Sequence, residues 1–317
     1  MSYDVLTMGE ALLRLTPPNY QRFDQTKSLE MHIGGSELNT AVGLARLGLN
    51  VRWFSRLTDN GIGRRIAREL VMQGVDASAI CWTPQDRIGI YYMEEGKSPR
   101  ASQVIYDRAG SAMSHIQPTD FDQTALLTPL PRLCHLSGIT LAISQSSAQT
   151  ARVLWEACRA QNVIMSFDLN YRAKLWTPDQ ARAGCDFWMQ SADIIFIPER
   201  DAITIYGTSD LSELHARYPQ ATLIMTKGAN GASAITPEGE FFHQEVYPVE
   251  TVCRIGGGDA FSAGYLYGHL NQANIKTCLR YGSAVAALKY TLPGDLPLID
   301  RQQVLDLVYS ATQSVQR

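Results

Sequence analysis

Three consecutive glycines followed by an aspartate form the segment of the sequence with the clearest chemistry. They are Gly256, Gly257, Gly258 and Asp259, and the small residues after them favour a closely packed helix that begins near the second glycine. Backbone N–H groups at a helix N-terminus, unshielded where side chains are absent, form a site for an anion such as a phosphoryl group in transfer. A carboxylate in the first turn is expected to stay ionised and can accept a proton from a hydroxyl group.

The same four residues have a simpler interpretation. Glycines suit turns and aspartate is common at helix starts, so the segment taken alone is equally well explained as a helix cap. The rest of the sequence narrows the chemistry, because it contains no G-x-x-x-x-G-K-[ST], no G-x-S-x-G and no H-E-x-x-H pattern. A P-loop, a nucleophile elbow and a zinc-peptidase helix are therefore excluded.

The bulk composition is that of a soluble globular protein. The 317 residues are 45% hydrophobic and 19% charged with a net charge of -3, which allows a substantial core and argues against nucleic acid as a partner. The six cysteines include no C-x-x-C pair, so reduced and mostly buried thiols are expected. No apolar segment is long enough for a membrane span and no signal peptide is recognisable, so a cytoplasmic location is expected.

Short apolar runs alternate with amphipathic segments along most of the chain. Strands are predicted to begin at Val5, Val51, Leu133, Val163, Ile194 and Thr222, and helices are predicted over 34–47, 62–73, 146–161 and 178–190. This alternation predicts an α/β fold with a doubly wound, mostly parallel sheet. A ligand cleft is then expected at the carboxyl ends of the strands.

Two stretches, 13–32 and 87–108, break this alternation. The second contains two alternating runs, 88–93 and 102–106, that predict a hairpin. We expect both stretches to form a small β-sheet lid. The remaining ranges form the α/β core in this prediction: 1–12, 33–86 and 109–317.

The sequence resembles the ribokinase-like (PfkB) carbohydrate kinases from Met8 to Asp295. The resemblance has an N-terminal part, the Gly-Gly-Ser-Glu-Leu-Asn segment that starts at Gly34, and a C-terminal part, the glycine-rich segment that ends at Asp259. It implies a doubly wound α/β core with a β-lid, and a cleft between them that closes over a sugar. It also implies ATP as the phosphoryl donor and Asp259 as the base.

Within this family the sequence is most similar to the 2-keto-3-deoxygluconate kinases. Residues 106–112 resemble their lid motif, residues 168–176 resemble their central motif, and residues 9–17 are also similar. Ribose and adenosine kinases, by contrast, have a sugar-binding aspartate near the position of Arg14. The resemblance implies a substrate site formed by Gly34, Gly35, Asn39, Tyr91, Tyr106, Arg108, Asn170, Arg172 and Asp259.

Two of these residues suit an acidic sugar on physical grounds as well. A sugar acid carries a carboxylate, and guanidinium groups hold carboxylates through charge-assisted and often bidentate hydrogen bonds. Arg108 and Arg172 are the candidates. Without the context of the motifs, each of the two arginines is more simply interpreted as one partner of a surface ion pair.

The nucleotide site is implied mainly by the resemblance. The segment 226–232 is similar to a strand-to-turn segment whose residues contact ATP, which implicates Lys227, Gly228, Asn230 and Gly231, together with Gly256 and Gly258. An ordinary Asn-Gly turn explains it almost as well. The small-residue helix around Ala286 is expected to flank the adenine, although core packing is a competing explanation. Mg²⁺ is expected with the ATP phosphates.

The sequence departs from the family pattern at two positions. An aspartate that helps to organise a monovalent-cation site in several members is replaced by Cys253, so activation by potassium is left open. The Asn-x-x-Glu or Asn-x-x-Asp element associated with magnesium appears as Pro198-Glu-Arg-Asp201, which keeps the acid and loses the asparagine. Asp201 is the one candidate metal ligand.

These observations give a hypothesis with two alternatives. The hypothesis is phosphorylation of 2-keto-3-deoxygluconate by MgATP at its terminal hydroxyl, with Asp259 as the base. One alternative is a fructokinase or another sugar kinase of this fold, and the second is a silent sugar- or nucleotide-binding regulator. A lid that presents the apolar residues Ile88, Ile90, Val104 and Ile105 also predicts a homodimer or a multiple of one.

Overall fold

The computed structural model describes residues 2–309, in which strands and helices alternate. The strands are β1 (Val5–Met8), β2 (Leu12–Thr16), β3 (Glu30–Gly34), β4 (Val51–Thr58), β5 (Val75–Asp76), β6 (Ile80–Thr83), β7 (Gly89–Glu94), β8 (Gln103–Asp107), β9 (Leu133–Ser137), β10 (Ile164–Asp168), β11 (Ile194–Phe196), β12 (Thr222–Thr226), β13 (Ala232–Ile235) and β14 (Phe241–Gln244).

The α-helices lie between and after these strands. They are α1 (Ser36–Arg46), α2 (Gly61–Met72), α3 (Gln123–Leu126), α4 (Gly138–Ile143), α5 (Gln145–Ala160), α6 (Pro178–Ser191), α7 (Glu199–Tyr206), α8 (Leu211–Arg217), α9 (Gly257–Leu270), α10 (Ile275–Tyr290) and α11 (Arg301–Tyr309). Within residues 2–309, no helix is both long and apolar enough to cross a membrane.

The large sheet has the strand order β14-β13-β12-β11-β10-β9-β1-β4-β5, with β6 also paired to β4. Its pairs are parallel from β12 through β5, and β13 and β14 are antiparallel at one edge. The α/β fold with a mostly parallel sheet is thus confirmed. Because the parallel strands end at one edge, the segments after β1, β9 and β10 lie there together.

Both faces of the large sheet are covered. Neighbouring residues of one strand pack into different clusters: Val5 belongs to the cluster that contains α1, α9 and α10, whereas Leu6 belongs to the cluster that contains α5 and α6. Burial on both faces is what continuous apolar runs predict for central parallel strands. The antiparallel edge formed by β13 and β14 was not predicted.

A second, four-stranded sheet has the order β3-β2-β7-β8. Its β7 and β8 form the predicted antiparallel hairpin, with Tyr91 opposite Tyr106 and Tyr92 opposite Ile105. Adjacent residues of a strand point to opposite faces. Tyr91 and Tyr106 therefore share one face, and Tyr92 and Ile105 share the other.

This register corrects the predicted apolar surface of the small sheet. Val104 shares the face of Tyr91 and packs with it, so it does not lie on the same face as Ile105. Ile88 precedes β7 and is only 6% exposed, because it belongs to the main hydrophobic core. Ile90 is half-buried and Ile105 is 55% exposed.

Helix α9 lies inside the molecule and packs against both α1 and α10. Small residues make this close approach possible: a Cβ atom added at Gly264 would lie 2.4 Å from the carbonyl oxygen of Tyr281 in α10. The N-terminus of α9 and that of α1 meet, as the contacts of Asp259 show. The first turns of the two helices therefore form the floor of the candidate site.

Candidate active site

Asp259 is held by two side chains from the first turn of α1. Its Oδ1 accepts a hydrogen bond from the Ser36 hydroxyl at 2.8 Å, and its Oδ2 accepts one from the Asn39 amide at 2.7 Å. Ser36 and Asn39 are three residues apart, so they lie on the same face of the helix. The Ser36 hydroxyl in turn accepts a hydrogen bond from the Asn170 amide at 2.6 Å. These contacts fix both oxygens of the carboxylate.

Burial dominates the electrostatics of this carboxylate. It raises the pKa of Asp259 above its usual value, while the hydrogen bonds from Asn39 and Ser36 and the charge of Arg172 lower it without cancelling that effect. The expectation that the helix terminus simply keeps Asp259 ionised therefore omitted the largest influence. A raised pKa makes Asp259 a stronger base than an exposed aspartate.

The three glycines before Asp259 differ from one another. Gly256 precedes α9 with a φ of 76°, and a Cβ atom there would lie 2.2 Å from the carbonyl oxygen of Asp295. The N–H of Gly257 donates to the carbonyl oxygen of Arg254 at 3.2 Å. The prediction that all three N–H groups are free is therefore wrong for Gly257. A Cβ atom at Gly258 would meet no atom within 4 Å, so the loop is open on that side.

A cavity of about 130 Å³ lies over Asp259. Most of the predicted substrate-site residues line it: Gly35, Asn39, Tyr91, Tyr106, Arg108, Arg172 and Asp259. Two predicted residues, Gly34 and Asn170, are outside the lining. Gly34 backs it, since a Cβ atom there would lie 2.1 Å from Oδ2 of Asp295, and Asn170 contributes through Ser36.

A larger cavity, of about 550 Å³, adjoins the first. Tyr106, Arg108 and Arg172 line both cavities, and Lys174 lines the larger one. The ammonium group of Lys174 donates to the carbonyl oxygen of Val104 in β8 at 2.9 Å, which links the segment after β10 to the small sheet. Arg108, Arg172 and Lys174 thus line the larger cavity, and the two arginines also line the cavity over Asp259.

The two arginines have different partners. Arg108 forms an ion pair with Glu10, whose other oxygen accepts from Ser111, and the Arg108 Nε is buried without a hydrogen-bond partner among residues 2–309. Arg172 donates to the carbonyl oxygen of Tyr171 at 3.1 Å. Its charge acts to lower the pKa values of Asp168, Asp201 and Asp259 against the effect of burial. Neither arginine is a simple surface ion pair.

Asp295 is a prominent residue that the sequence did not single out. Its carboxylate accepts from Arg14 of β2 at 3.0 Å and from the Tyr91 hydroxyl of β7, and it lines the cavity beside Asp259. It therefore joins both central strands of the small sheet to the loop at Gly256. The signal in the sequence that could have identified Asp295 is the position of its carboxylate directly after the Pro-Gly turn at 293–294. Ser36, in the Gly-Gly-Ser segment, and Glu10 were also missed.

Apart from Gly256, which lines the small cavity, the predicted nucleotide residues lie outside both cavities. Lys227 to Gly231 form the turn between β12 and β13, where the Lys227 N–H donates to the Gly231 carbonyl oxygen at 2.8 Å. Gly228 has a φ of 57°. The turn follows the carboxyl end of β12, on the same edge of the sheet as Asp168. Ala286 is buried in α10, and its contact with adenine stays a prediction.

The candidate metal ligand Asp201 is buried in the first turn of α7. Its oxygens accept from the Tyr171 N–H at 3.0 Å and from Arg200 at 3.1 Å. Within residues 2–309, no group of three or more His, Cys, Asp or Glu side chains is placed to hold a metal ion. Mg²⁺ commonly takes most of its ligands from substrate phosphates and water, so it needs few ligands from the protein. A single carboxylate such as that of Asp201 would fit this requirement.

The chain matches a known class of enzyme along nearly its whole length. A model of the pfkB family of carbohydrate kinases matches residues 3–300, and the chain belongs to this family. It is therefore a carbohydrate kinase.

Two relatives and one crystal structure show which carbohydrate kinases the chain is similar to. A 2-dehydro-3-deoxygalactonokinase of Haloferax volcanii is 36% identical over 310 residues, covering 96% of each chain. A 5-dehydro-2-deoxygluconokinase of Listeria monocytogenes is 26% identical, covering 96% of this chain and 95% of the relative. The crystal structure of 2-dehydro-3-deoxygluconokinase from Thermotoga maritima superposes with a TM-score of 0.91 at 30% identity, covering 97% of this chain and 98% of that one.

Proposed function

We propose that this kinase transfers the γ-phosphoryl group of ATP to the terminal hydroxyl of 2-keto-3-deoxygluconate, with Asp259 as the general base. The observation that carries the proposal is the buried Asp259 carboxylate, fixed by Ser36 and Asn39, on the wall of a cavity that also holds Arg108 and Arg172. The relatives described above are named as kinases of dehydro-deoxy sugar acids, which supports the same substrate class.

The reaction at Asp259 is a proton transfer coupled to phosphoryl transfer. The substrate hydroxyl gives its proton to the Asp259 carboxylate as its oxygen bonds to the γ-phosphorus, and the bond from that phosphorus to the bridging oxygen of ADP breaks. The raised pKa of Asp259 favours acceptance of the proton. The loop at Gly256 and Gly258 stabilises the transferring group through backbone amides and the helix N-terminus.

Arg108 and Arg172 orient the acid end of the substrate. A carboxylate between them would lie against the Arg108 guanidinium group and against the charge of Arg172, which faces no side-chain carboxylate within 4.0 Å among residues 2–309. A neutral hexose would leave the Arg172 guanidinium group without an anionic partner and Arg108 with Glu10 alone, at a cost in binding free energy. The cavity therefore favours a sugar acid over fructose or ribose.

ATP would lie along the carboxyl edge of the large sheet. Its phosphates would meet the open side of Gly258, and Lys227, Gly228, Asn230, Gly231 and Ala286 would contact the rest of the nucleotide. Bound Mg²⁺ would bridge the phosphates and neutralise charge, with Asp201 as the nearby protein carboxylate. The empty space beside Gly258 is the feature that fits a phosphate tail.

A substrate panel tests the proposal. The purified protein with MgATP would be offered 2-keto-3-deoxygluconate, its C4 epimer, 5-dehydro-2-deoxygluconate, fructose and ribose, and kcat/KM would be measured from ADP release. We expect the 2-keto-3-deoxy acids to give the highest values and ³¹P NMR of the product to show a phosphate on the terminal oxygen. A preference for fructose or ribose would contradict the proposal.

The C4 epimer, 2-keto-3-deoxygalactonate, is the second candidate substrate. The 36% identity to the Haloferax volcanii 2-dehydro-3-deoxygalactonokinase is the observation that favours it. The two acids differ only in the configuration of one hydroxyl group. The ratio of their kcat/KM values therefore decides between them, since the base and the arginines serve both equally.

We also propose that the small sheet is a lid over the cleft and that two subunits pair through its outer face. That face carries Ile105 and Met31, which are 55% and 43% exposed. Exposed apolar strands favour pairing with a second sheet. Light scattering should give the mass of a dimer or its multiple, and an Ile105→Glu variant should shift the population toward monomer. A monomeric wild-type protein would contradict the pairing.

A further inference from the structure

A buried ammonium group lies behind the glycine loop and has no role in the reaction described above. Lys289, in the last turn of α10, is 0% exposed, and its Nζ donates to the carbonyl oxygen of Cys253 at 3.0 Å. Burial of a cationic group carries a large desolvation cost, so such groups are found where they have specific partners. The position of this partner, three residues before Gly256, connects Lys289 to the anion site.

The end of α10 holds the start of the loop through consecutive residues. The N–H groups of Val252 and Cys253 donate to the carbonyl oxygen of Tyr290 at 2.7 and 3.2 Å. The ring of Tyr290 also occupies the space beside Gly257, where an added Cβ atom would lie 2.2 Å from it. The contact from Lys289 to Cys253 adds a hydrogen bond from a cationic group to these contacts between the end of α10 and the loop.

The neighbours of Lys289 offset part of the effect of burial on its pKa. Burial lowers the pKa of Lys289, whereas Asp295 and Cys253 act to raise it and Arg14 acts to lower it. Asp295 also pairs with Arg14. Arg14 pairs with Glu95 as well, so Lys289 and Arg14 face two carboxylates, and the positive charge that Lys289 contributes is local to its contact with Cys253.

A cation at this place has two effects on the loop. The carbonyl oxygen of Cys253 accepts a hydrogen bond from the ammonium group, which fixes the orientation of that peptide at the start of the loop. A fixed positive charge in a buried region also raises the electrostatic potential at a nearby anion site, because screening by water is weak there. Both effects favour a phosphoryl group at Gly256 and Gly258.

We propose that Lys289 is a positioning residue that serves as a built-in monovalent cation for the phosphoryl site, so that the enzyme needs no dissolved one. This inference rests on the proposed role of the loop at Gly256–Gly258. Carbonyl oxygens such as that of Cys253 are also ligands for K⁺ and NH₄⁺, whereas here the cation is part of the chain. The covalent link keeps the positive charge in place at any salt concentration.

The test compares Lys289→Met with Lys276→Met, a change at an exposed lysine of the same helix. For each protein kcat and KM for ATP would be measured at constant Mg²⁺ and ionic strength, with tetramethylammonium, K⁺ or NH₄⁺ chloride. We expect Lys289→Met to lower kcat by about 10- to 100-fold in tetramethylammonium, the effect of losing one charged hydrogen bond. K⁺ or NH₄⁺ should restore it several-fold, and neither should change the wild type or Lys276→Met.

Three outcomes would overturn the inference. They are a wild-type kcat that rises several-fold with K⁺, a Lys289→Met enzyme with wild-type kcat, and a folded Lys289→Met enzyme that no cation restores, as a merely structural lysine would give. Circular dichroism establishes folding, and if the variant does not fold, the wild-type cation series alone decides. Any sugar that the enzyme accepts serves in this assay, so a wrong substrate assignment would not affect the result.

Discussion

The two ends of the small cavity are built in opposite ways. At the phosphoryl end, the Asp259 carboxylate is fixed by two neutral donors, Ser36 and Asn39, from the first turn of another helix. At the end proposed for the acid group, the cationic side chains Arg108 and Arg172 line both cavities, and Arg172 forms no ion pair among residues 2–309. In the proposed reaction, the end at Asp259 is therefore preorganised for proton transfer, whereas the end at Arg108 and Arg172 would be completed by the acid group of the substrate.

This comparison implies that changes at the two ends should affect different kinetic constants. Loss of a fixed base should lower kcat, because its effect is felt in the transition state. Loss of a guanidinium group should change kcat/KM and should depend on the charge of the substrate. The following variants test this division from the largest expected effect to the smallest.

Asp259→Asn should lower kcat by about 10²- to 10⁴-fold, the usual contribution of a general base. The KM values for ATP and the sugar acid should change little, because the amide has nearly the same size. Steady-state kinetics with a coupled ADP assay measure both constants, and isothermal titration with the sugar acid checks binding. A variant with near-normal turnover would remove Asp259 from the role of base.

Arg172→Met should lower kcat/KM for the sugar acid by about 10- to 100-fold, the value of one charge-assisted interaction. The loss for a neutral analogue of similar size should be much smaller. Arg182→Met, at a half-exposed arginine of α6, is the matched control. Equal losses for acidic and neutral substrates would contradict a carboxylate-binding role.

Substitutions at the neighbouring Gly257 and Gly258 should distinguish a glycine that is required for packing from one that leaves space for a ligand. Gly257→Ala should reduce the free energy of unfolding by about 1–3 kcal/mol, because its Cβ atom would overlap the Tyr290 ring. Gly258→Ala meets no atom and should unfold at or above the wild-type temperature, yet it should raise the KM for ATP or lower kcat. Thermal unfolding and kinetics on both variants give the comparison. A fully active Gly258→Ala enzyme would show that no phosphate approaches there.

Ser36→Ala should have the smallest effect on rate, about fivefold in kcat, as expected for one neutral hydrogen bond. It should also move the pH profile. Asp259 accepts a proton only when ionised, so kcat/KM falls as the pH drops through its raised pKa, and removal of a hydrogen bond that lowers this pKa shifts the acid limb to higher pH. An unchanged acid limb would argue against Asp259 as the titrating group.

The sequence was most informative where function depends on neighbouring residues. The start of α9 near Gly257, the alternation of strands and helices, and the hairpin of β7 and β8 all follow from local periodicity and turn chemistry. Most of the predicted substrate residues line one cavity because each lies in a motif next to a strand or helix end. Their individual roles stay predictions.

The residues that were missed depend on contacts between distant parts of the chain. Asp295 gains its importance from Arg14 and Tyr91, which lie 281 and 204 residues away in the sequence. The faces of Ile88 and Val104 likewise depend on the strand ends and register, which a run of apolar residues does not specify. The number of free N–H groups in the glycine loop was overestimated. The hydrogen bond from the Gly257 N–H to the Arg254 carbonyl oxygen depends on the conformation of the turn, which the sequence does not specify.

Asp295 has a consequence for how the cleft opens. Its carboxylate binds two strands of the small sheet, and its backbone lies against Gly256. Displacement of that sheet must therefore either break the buried bonds from Arg14 and Tyr91 or pull on the segment that supports the phosphate loop. If the small sheet moves as the proposed lid, admission of the sugar and release of the product would thus be coupled through Asp295 to the loop at Gly256.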